Sequence, residues 1–343
     1  MFIKNMKIKN FRNIKEAEIS FCETTNIIYG DNGQGKTNLI EAIWLFSGNQ
    51  SFRGSKINEY KKFDEDFLKN EISFCDSQRE NKAEFVFGNK KYVKLNNVLL
   101  NSLSEMNENF FCVVFSPFLL SFVQGNPKNR RKFLDIAISQ INHQYKNYLS
   151  TYEKILEQRN ALLKTNTNME FIKENIDAWD MQLAKVGTII SIYRNDYINK
   201  LEYFSSKIFN QMSNEKEEFS LFYVSTIFEE VKKITVYDEI YYNAYYKKLK
   251  ENFANDFKYK STTVGIHRDD LSIFVKGISA KTFGSQGQQR SAVIAIKLAE
   301  SMIIKKITGE QPIMLLDDVL SELDENRQDY LLNHIKNCQV CIT

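Results

Sequence analysis

A glycine-rich segment near the start of the chain restricts the possible folds more than any other part of the sequence. Residues 30–37 read Gly-Asp-Asn-Gly-Gln-Gly-Lys-Thr and fit the pattern G-x-x-x-x-G-K-[ST]. The short apolar run before them, residues 25–29, predicts a buried strand, and residues 38–46 after them have helical spacing. A strand, a glycine loop and a helix in this order are the setting in which the pattern binds phosphate. The alternative is an ordinary glycine-rich turn that contains a lysine.

This loop has the chemistry to hold a nucleoside triphosphate. Glycines let successive backbone N–H groups turn inward around an anion, and the helix that opens near Lys36 adds its positive end. Lys36 is expected to reach the terminal phosphates, and the hydroxyl of Thr37 is expected to bind Mg²⁺. The predicted nucleotide contacts in the loop are Gly30, Asp31, Asn32, Gly33, Gln34, Gly35, Lys36 and Thr37.

A second segment supplies the carboxylates that such a site needs. Residues 313–316 are wholly apolar, and Asp317 and Asp318 follow them directly. At the tip of a buried strand, Asp317 is predicted to hold Mg²⁺, directly or through water. Asp318 is predicted to orient or deprotonate the attacking water, which makes it the candidate catalytic residue. A strand that ends in a polar turn would show the same pattern, but a P-loop in the same chain favours the metal site.

Composition gives only weak evidence about the binding partners and the cellular location of this chain. The chain has 343 residues with 46 Lys and Arg against 43 Asp and Glu, so only a local basic patch would indicate nucleic acid. No apolar run approaches the roughly 20 residues that cross a bilayer, so no membrane association is expected. The N-terminus lacks the apolar segment of a secretion signal. Five irregularly spaced cysteines fit a reducing cytoplasm, which is the expected location.

Helical periodicity interrupts the α/β pattern after Pro117. Apolar residues spaced by three and four predict two antiparallel helices that bury each other, joined by a turn at residues 165–168. Strand character returns at residues 262–264 and 271–275. The predicted fold is therefore an α/β head formed by residues 1–117 and 259–343, interrupted by a smaller, mainly helical lobe of residues 118–258 with an antiparallel helical hairpin.

Two segments around the second carboxylate strand narrow the class of the head. A predicted helix before that strand opens with Ser285, Gln286, Gly287 and Gln288. Ser-Glu-Leu-Asp follows the strand at residues 321–324. Together with the P-loop, these segments resemble the signature motif and D-loop of ABC-type ATPases, and the SMC-like subgroup more than transporter subunits. Viewed alone, a polar helix start that contains serine and glycine is a weak signal.

Resemblance to that subgroup implies a site shared between two copies of the chain. The residues at the start of the helix, Ser285 to Gln288, would bind the γ-phosphate of an ATP held by the P-loop of the second copy. A helix N-terminus with a serine hydroxyl and a bare glycine amide is physically suited to bind an anion. The resemblance thus implies an ATP-dependent homodimer that hydrolysis would separate.

Over its whole length the sequence resembles the RecF family of bacterial recombination and gap-repair proteins. Besides the ATPase motifs, the resemblance is carried by residues 8–13, 125–127, 130–135, 265–271 and 315–324. Arg-Arg-Lys-Phe-Leu-Asp at 130–135 and His-Arg-Asp-Asp at 267–270 are more particular to this family than the ATPase motifs are. The resemblance implies a DNA-binding protein that dimerises with ATP at gapped DNA and hydrolyses ATP slowly, as a switch. It also implies that the protein works with RecR and RecO to load RecA recombinase.

Several charged residues have two interpretations. The resemblance to SMC-like heads implies that Arg12 contacts the nucleotide, whereas a surface salt bridge fits the sequence equally well. Residues 267–270 fit a functional cluster or a salt-bridged turn between strands. The best basic run, a candidate DNA contact that would also fit a solvated helix start, consists of Lys128, Arg130, Arg131 and Lys132.

Other functions of an ATPase head predict different features. The first two need a further domain or long arms, for which this chain is too short. An SMC-like head with a nuclease-associated role would need a further metal–carboxylate domain. A structural organiser would need long coiled-coil arms, and the predicted inserted helices are short. A transporter subunit would pair with a membrane protein and would not bind DNA.

Overall fold

The computed structural model describes residues 1–56, 59–117, 120–165, 168–231 and 234–343, without the side chains of residues 120 and 121. Contacts divide the chain into two compact units. The first unit comprises Met1–Val123, Phe204–Glu217 and Ser285–Thr343, and the second comprises Gln124–Tyr203 and Glu218–Gly284. Within the described ranges, no helix combines the length and the apolar character needed to cross a membrane.

Both units contain strands and helices. The strands are β1 (Phe2–Phe11), β2 (Ile14–Ser20), β3 (Thr25–Ile27), β4 (Phe67–Cys75), β5 (Glu80–Gly88), β6 (Tyr92–Leu95), β7 (Val98–Leu100), β8 (Cys112–Phe115), β9 (Phe219–Val224), β10 (Asp270–Val275), β11 (Ile278–Ser279), β12 (Ile313–Leu316) and β13 (Val340–Ile342). The helices are α1 (Lys36–Leu45), α2 (Leu120–Gln124), α3 (Pro127–Ile141), α4 (His143–Thr165), α5 (Met169–Asn175), α6 (Asp177–Met212), α7 (Glu239–Glu251), α8 (Phe253–Tyr259), α9 (Ala280–Phe283), α10 (Gln286–Thr308) and α11 (Glu325–His334).

The first unit combines an antiparallel sheet with a parallel one. The six-stranded sheet has the order β2-β1-β4-β5-β6-β7, and the four-stranded sheet has the order β3-β13-β12-β8. All neighbours in the second sheet are parallel. Its neighbouring strands β12 and β8 are buried along their whole length, as apolar strands of parallel sheets are. The parallel sheet therefore joins segments from the beginning, the middle and the end of the sequence.

Most predicted elements of this unit are confirmed. The predicted helix after the P-loop is α1, the apolar run 313–316 is β12, and the predicted helix from Gln286 is α10. α10 ends at Gly309, whose φ of 78° is the left-handed conformation that glycine adopts at helix ends. These segments were predictable because their patterns are local and regular.

The strand before the P-loop differs from the prediction. Residues 25–27 form β3, but Ile27 is 71% exposed, and Tyr29 beyond the strand is 90% exposed. The prediction of a buried strand is therefore wrong. β3 lies at the edge of the sheet, next to β13. An apolar run alone does not distinguish an edge strand from a central one.

The second unit contains the predicted antiparallel helices. Tyr145 near the start of α4 contacts Arg194 of α6, and Arg159 near the end of α4 contacts Asp180 at the beginning of α6. The two helices therefore run in opposite directions, as predicted. Of the predicted turn at 165–168, residues 166 and 167 lie outside the described ranges.

A predicted strand is missing from this unit. Residues 262–264 are irregular and form no strand, so this prediction is wrong. The reason lies in the backbone hydrogen bonds: the N–H of Thr262 donates to Asn160 Oδ1 at 2.7 Å, and the N–H of Thr263 donates to Asp256 Oδ1 at 2.8 Å. Side chains thus replace the neighbouring strand as hydrogen-bond partners.

The domain boundaries at 117/118 and 258/259 stay a prediction, and residue 118 lies outside the described ranges. The compact units are divided at other positions. β10 pairs along its length with β9 in the three-stranded sheet β11-β10-β9, and all three strands belong to the second unit. Residues 271–275, assigned by sequence to the head, therefore complete the sheet of the inserted unit.

Candidate nucleotide-binding site

The P-loop and the second carboxylate strand meet at one edge of the parallel sheet. β3 and β12 flank β13 in register, so that Ile27, Ile342 and Leu316 lie side by side. Thr37, the second residue of α1, donates a hydrogen bond from Oγ1 to Asp317 Oδ1 at 2.7 Å. The fold thus joins the two predicted Mg²⁺ ligands, which are 280 positions apart in the sequence.

Asp317 lies in a largely buried position. Its exposed fraction is 3%. Burial raises the pKa of the Asp317 carboxyl above its ordinary value, while hydrogen bonds from Thr37 and Thr343 act in the opposite direction. The hydroxyl of Thr343 donates to Asp317 Oδ1 at 3.1 Å. A carboxylate held in place by two hydroxyls is a preorganised oxygen ligand.

These oxygens fit Mg²⁺ bound to a nucleotide. Mg²⁺ prefers oxygen donors and is usually held by one or two protein groups together with substrate phosphates and water. The residues that the structure describes hold no group of three or more His, Cys, Asp or Glu side chains that would bind a metal by themselves. The pair of Thr37 and Asp317 therefore fits an ion that arrives with a phosphate.

Asp318 points away from the core at the turn after β12. It is exposed and has a φ of 51°, which turns the chain sharply at the strand end. Its N–H donates to Thr343 Oγ1 at 2.9 Å, and its carboxylate accepts from Ser321 Oγ at 3.2 Å. The carboxylate is accessible to water next to the candidate metal ligand, as a general base must be.

The P-loop has the backbone conformation that its sequence predicts. Three of its glycines, at positions 30, 33 and 35, have φ between 82° and 144°, a region that favours glycine. Lys36 Nζ donates to the carbonyl oxygens of Gly30 at 2.6 Å and Asp31 at 3.1 Å. Residues 31–34 are exposed. The ammonium group is thus held across the loop by carbonyls that phosphate oxygens can replace.

Asn13 is a residue of this site that the sequence motifs did not identify. Its Nδ2 donates to the carbonyl of Gly33 at 2.8 Å, and its Oδ1 accepts from Asn38 Nδ2 at 2.7 Å. A Cβ at Gly35 would lie 2.7 Å from Asn13 Oδ1. Asn13 therefore connects the loop to α1 and excludes a side chain at position 35. The sequence signal is the break in strand alternation at residues 11–13.

Arg12 forms an ion pair inside the first unit. Its Nε and Nη2 donate to the two carboxylate oxygens of Glu41 at 3.0 and 2.9 Å, and Nη1 donates to the carbonyl of Glu59 at 2.8 Å. The side chain of Glu41 is fully buried. The structure thus has the salt-bridge alternative, although in a partly buried form rather than on the surface. Contact between Arg12 and nucleotide stays a prediction.

The helix α10 begins as its sequence predicts. Ser285 Oγ accepts from the N–H of Gln288 at 3.2 Å, and Gln288 Oε1 accepts from the N–H of Ser285 at 2.9 Å. This reciprocal arrangement is a capping box. Gln286 and Gly287 form the first turn between these two residues. The helix start is confirmed, whereas its contact with the phosphate of a second copy stays a prediction.

Arg130, one of the four residues of the predicted basic run, is buried in an ion pair, and its contact with DNA stays a prediction. Its side chain is 3% exposed. It donates from Nε and Nη2 to the two carboxylate oxygens of Asp270 at 2.7 and 2.9 Å, and from Nη1 to the carbonyl of Gly125 at 2.8 Å. The guanidinium therefore stabilises the interior of the second unit.

The other members of this run differ in exposure. Arg131 is half-buried and donates from Nη1 to the carbonyl of Asp269 at 2.6 Å. Lys132 is also half-buried, and burial lowers its pKa. Lys128 is exposed in the first turn of α3. Of the four residues, Lys128 has the exposure that a phosphate contact requires.

The segment 267–270 belongs to a polar network in the interior of the second unit. His267 Nδ1 lies 2.9 Å from Tyr152 Oη, and His267 Nε2 lies 3.0 Å from the carbonyl of Thr262. Burial lowers the pKa of His267 to about 4. The carboxylate of Asp269 accepts from Tyr223 Oη at 2.6 Å. These contacts, together with the ion pair between Asp270 and Arg130, place the segment in a structural network. A functional role for residues 267–270 stays a prediction.

We expect Arg130→Ala to destabilise the second unit by about 2 kcal/mol or more, because Asp270 would lose a partner that pairs with both its oxygens. Lys128→Ala, the matched exposed variant, should change stability by less than about 0.5 kcal/mol. Thermal unfolding of both variants measures this difference. An Arg130→Ala protein of unchanged stability that loses DNA affinity would contradict the structural role and favour the DNA contact.

The fold, together with the contact between the P-loop and the end of β12, defines the class of the protein. The Smc head domain of Pyrococcus furiosus has a TM-score of 0.53 and 16% identity, with 100% of this chain and 89% of that chain covered. This likeness concerns the fold alone. Residues 2–115 match the family model described as RecF/RecN/SMC N terminal domain. The protein therefore has the fold of an SMC-like, ABC-type ATPase head that is interrupted by a smaller unit.

The chain belongs to the RecF family. The protein named DNA replication and repair protein RecF from Clostridioides difficile strain 630 is 40% identical over 346 residues, which cover 100% of this chain and 91% of that relative. The protein of the same name from Clostridium acetobutylicum is 39% identical, with coverages of 100% and 92%. A solved structure described as the recombination mediator protein RecF-ATPrS in the RecFOR pathway has a TM-score of 0.92 and 37% identity, covering 100% of this chain and 92% of that chain.

Proposed function

We propose that this chain binds ATP with Mg²⁺, dimerises around the nucleotide, and in that state binds DNA during repair and replication. The observation that carries the proposal is the 2.7 Å contact between Thr37 Oγ1 and Asp317 Oδ1. It brings a P-loop hydroxyl and a strand-end carboxylate to one point, as a metal ion on a nucleotide phosphate requires. Solved relatives at 37% identity are described as RecF-ATP and RecF-ATPrS, which supports the same ligand here.

Each residue of the site would have a defined task. Lys36 would exchange the carbonyls of Gly30 and Asp31 for phosphate oxygens, while the positive end of α1 stabilises the same charge. Thr37 and Asp317 would hold Mg²⁺, which neutralises charge on the triphosphate when it is bound. Asp318 would orient and deprotonate the attacking water.

The site would be completed by a second copy of the chain. Ser285 and Gly287 at the start of α10 are the groups proposed to bind the γ-phosphate held by the partner's P-loop. A helix start with a serine hydroxyl, a glycine amide and a positive dipole end suits this anion. Hydrolysis would remove the bridging phosphate, so a slow ATPase activity would time the release of the dimer.

The proposed partners follow from family membership. They are DNA that carries a gap or a junction of single and double strands, the mediator proteins RecR and RecO, and, through them, RecA recombinase. The curated relatives bear the name DNA replication and repair protein RecF, which supports these partners. A cytoplasmic location is part of the same proposal.

Asp318→Asn should slow ATP hydrolysis by about a hundredfold and leave the ATP-dependent dimer intact, because the amide cannot accept the proton of the attacking water. Phosphate release measures the first effect, and sedimentation with ATP measures the second. Asp329→Asn, which alters an exposed carboxylate on α11, is the matched control. Rapid turnover in the Asp318→Asn protein would remove Asp318 from the catalytic role.

Binding to gapped duplex tests the function as a whole. We expect ATP to increase the affinity in a gel-shift assay, and we expect the affinity to fall between a low and a high salt concentration because phosphate contacts release counterions. Intact duplex without a gap is the control. An affinity that is the same with and without ATP, or an absence of binding at both salt concentrations, would contradict the proposed function.

A further inference from the structure

Two arginines tie the start of α10 to the loop between β12 and α11. Arg290 of α10 donates from Nη2 to Glu322 Oε2 at 2.9 Å, so it reaches forward to the loop. Arg327 of α11 reaches back and donates from Nε to Ser291 Oγ of α10 at 2.8 Å. All four residues belong to the first unit. One arginine extends from α10 to the loop, and the other extends from α11 to α10. The two hydrogen bonds together fix the position of α10 relative to the loop.

The guanidinium of Arg327 makes contacts on three sides. Its Nη1 pairs with Asp324 Oδ2, and the N–H of Arg327 donates to Asp324 Oδ1 at 3.1 Å, so Asp324 also caps α11. Its Nη2 would lie 3.0 Å from a Cβ at Gly287. Arg327 thus touches the first turn of α10 and the end of the 321–324 segment together. The planar fork of an arginine suits this task, because its N–H groups point in fixed directions.

The surroundings of Arg327 indicate that its role is not simply to fill the core. The side chain is 27% exposed and lines an open cavity of about 340 Å³ together with Tyr330, Gln211 and Asn214. Removing the side chain would therefore enlarge a space that water can enter, rather than leave a void in the apolar core. What its removal would change is the relative position of Gly287 and Asp324.

We propose that Arg327 is a positioning residue, which holds the start of α10 and the 321–324 segment as one preformed surface for the nucleotide of a second copy. The proposal rests on the proposed function, because it needs a γ-phosphate presented by a partner. Ser285 and Gly287 would meet that phosphate, whereas Arg327 would not touch it. Its contribution would be to keep the two segments in register before the copies meet, which lowers the cost of ordering them on binding.

Arg327→Ala should weaken the ATP-dependent dimer by about tenfold or more, since charge-assisted hydrogen bonds that order the contact surface are lost. The affinity of the monomer for ATP should stay within about twofold of the unchanged protein, because the P-loop is untouched. Arg327→Lys should be intermediate, since one ammonium cannot bond Ser291 and Asp324 in the fork geometry. Arg79→Ala, which removes an arginine bonded to Asn81 in the same unit, is the control.

Mixing two defective variants decides whether Arg327 acts on the partner's nucleotide. In a mixed dimer of Lys36→Ala and Arg327→Ala chains, one site pairs the intact P-loop of the Arg327→Ala chain with the intact α10 surface of the Lys36→Ala chain. We expect ATP hydrolysis by the mixture to exceed the sum of the two variants measured alone at the same concentration. If Arg327 served the nucleotide of its own chain, both sites of the mixed dimer would be defective.

The outcomes separate this proposal from the proposed function. A mixture that hydrolyses no more ATP than the sum of its parts overturns the positioning role across the dimer, and so does an Arg327→Ala protein that dimerises like the unchanged one. If the unchanged protein itself forms no dimer with ATP, the proposed function fails first. Equal thermal stability of Arg327→Ala and Arg79→Ala, together with weaker dimerisation of the former, supports the proposal.

Discussion

Lys36→Ala is expected to weaken ATP binding by about a hundredfold or more and to abolish ATP-dependent dimerisation. Lys36 Nζ is held by the carbonyls of Gly30 and Asp31, at the point where the loop would receive phosphate. Removing a positive charge that contacts a triphosphate eliminates charge-assisted hydrogen bonds, which are the strongest kind available to the loop. The loop itself should keep its conformation, because the bonds between Asn13 and Gly33 and between Asn13 and Asn38 do not involve Lys36.

Titration with a fluorescent ATP analogue measures the affinity, and sedimentation with ATP measures the dimer. Lys15→Ala is the matched control, since Lys15 is exposed on β2 of the same unit. Its affinity and its dimer should equal those of the unchanged protein. Retention of ATP-dependent dimers by Lys36→Ala, at an ATP concentration that only just saturates the unchanged protein, would mean that the P-loop does not hold the nucleotide that joins the copies.

Arg159→Leu is expected to destabilise the second unit by about 3–5 kcal/mol, because it leaves two buried carboxylates without their common partner. Arg159 Nε donates to Asp180 Oδ1 and Nη1 donates to Asp256 Oδ2, both at 2.7 Å, and all three side chains are fully buried. Burial already raises the pKa of Asp180, and Arg159 acts against that rise. The substitution removes this compensating charge.

Unfolding of the second unit is measurable by itself. The chain has two tryptophans, of which Trp44 lies in the first unit and Trp179 in the second. In a Trp44→Phe background, the fluorescence of Trp179 during denaturant unfolding reports on the second unit. Lys154→Ala, an exposed change on the same helix as Arg159, is the control and should shift stability by less than about 0.5 kcal/mol. A loss below about 1 kcal/mol for Arg159→Leu would contradict a structural role for this network.

The nucleotide site was largely predictable from sequence because its parts are local. The P-loop needs glycines at fixed positions and a helix directly after them, and the strand proposed to bind Mg²⁺ needs an apolar run followed by Asp317. Both requirements are met within about ten residues, so a linear pattern identifies them. Their meeting at one sheet edge follows from the rule that the carboxyl ends of parallel strands lie together.

The parts that sequence reasoning missed depend on distant partners. Arg130 lies in a basic run, which is typical of a DNA contact, but its side chain pairs with Asp270, 140 positions away in the sequence. Asn13 gains its role from the carbonyl of Gly33, and no spacing rule connects the two. The burial of an apolar strand such as β3 depends on what packs against its faces, and Ile27 is exposed. In each case the deciding contact is tertiary, and a local pattern contains no information about it.

The central claim is that ATP held by one copy is bound by Ser285 of another. The most direct measurement uses an ATP analogue with a photoreactive group on the γ-phosphate, in a mixture of unchanged chains and Lys36→Ala chains that differ in mass. At an analogue concentration that only just saturates the unchanged chain, the Lys36→Ala P-loop stays largely empty, so label on that chain must come from the nucleotide of its partner. We predict labelling of its residues 284–290 after irradiation. Labelling confined to the unchanged chain, with none on the segment around Ser285 of the variant, would contradict the claim.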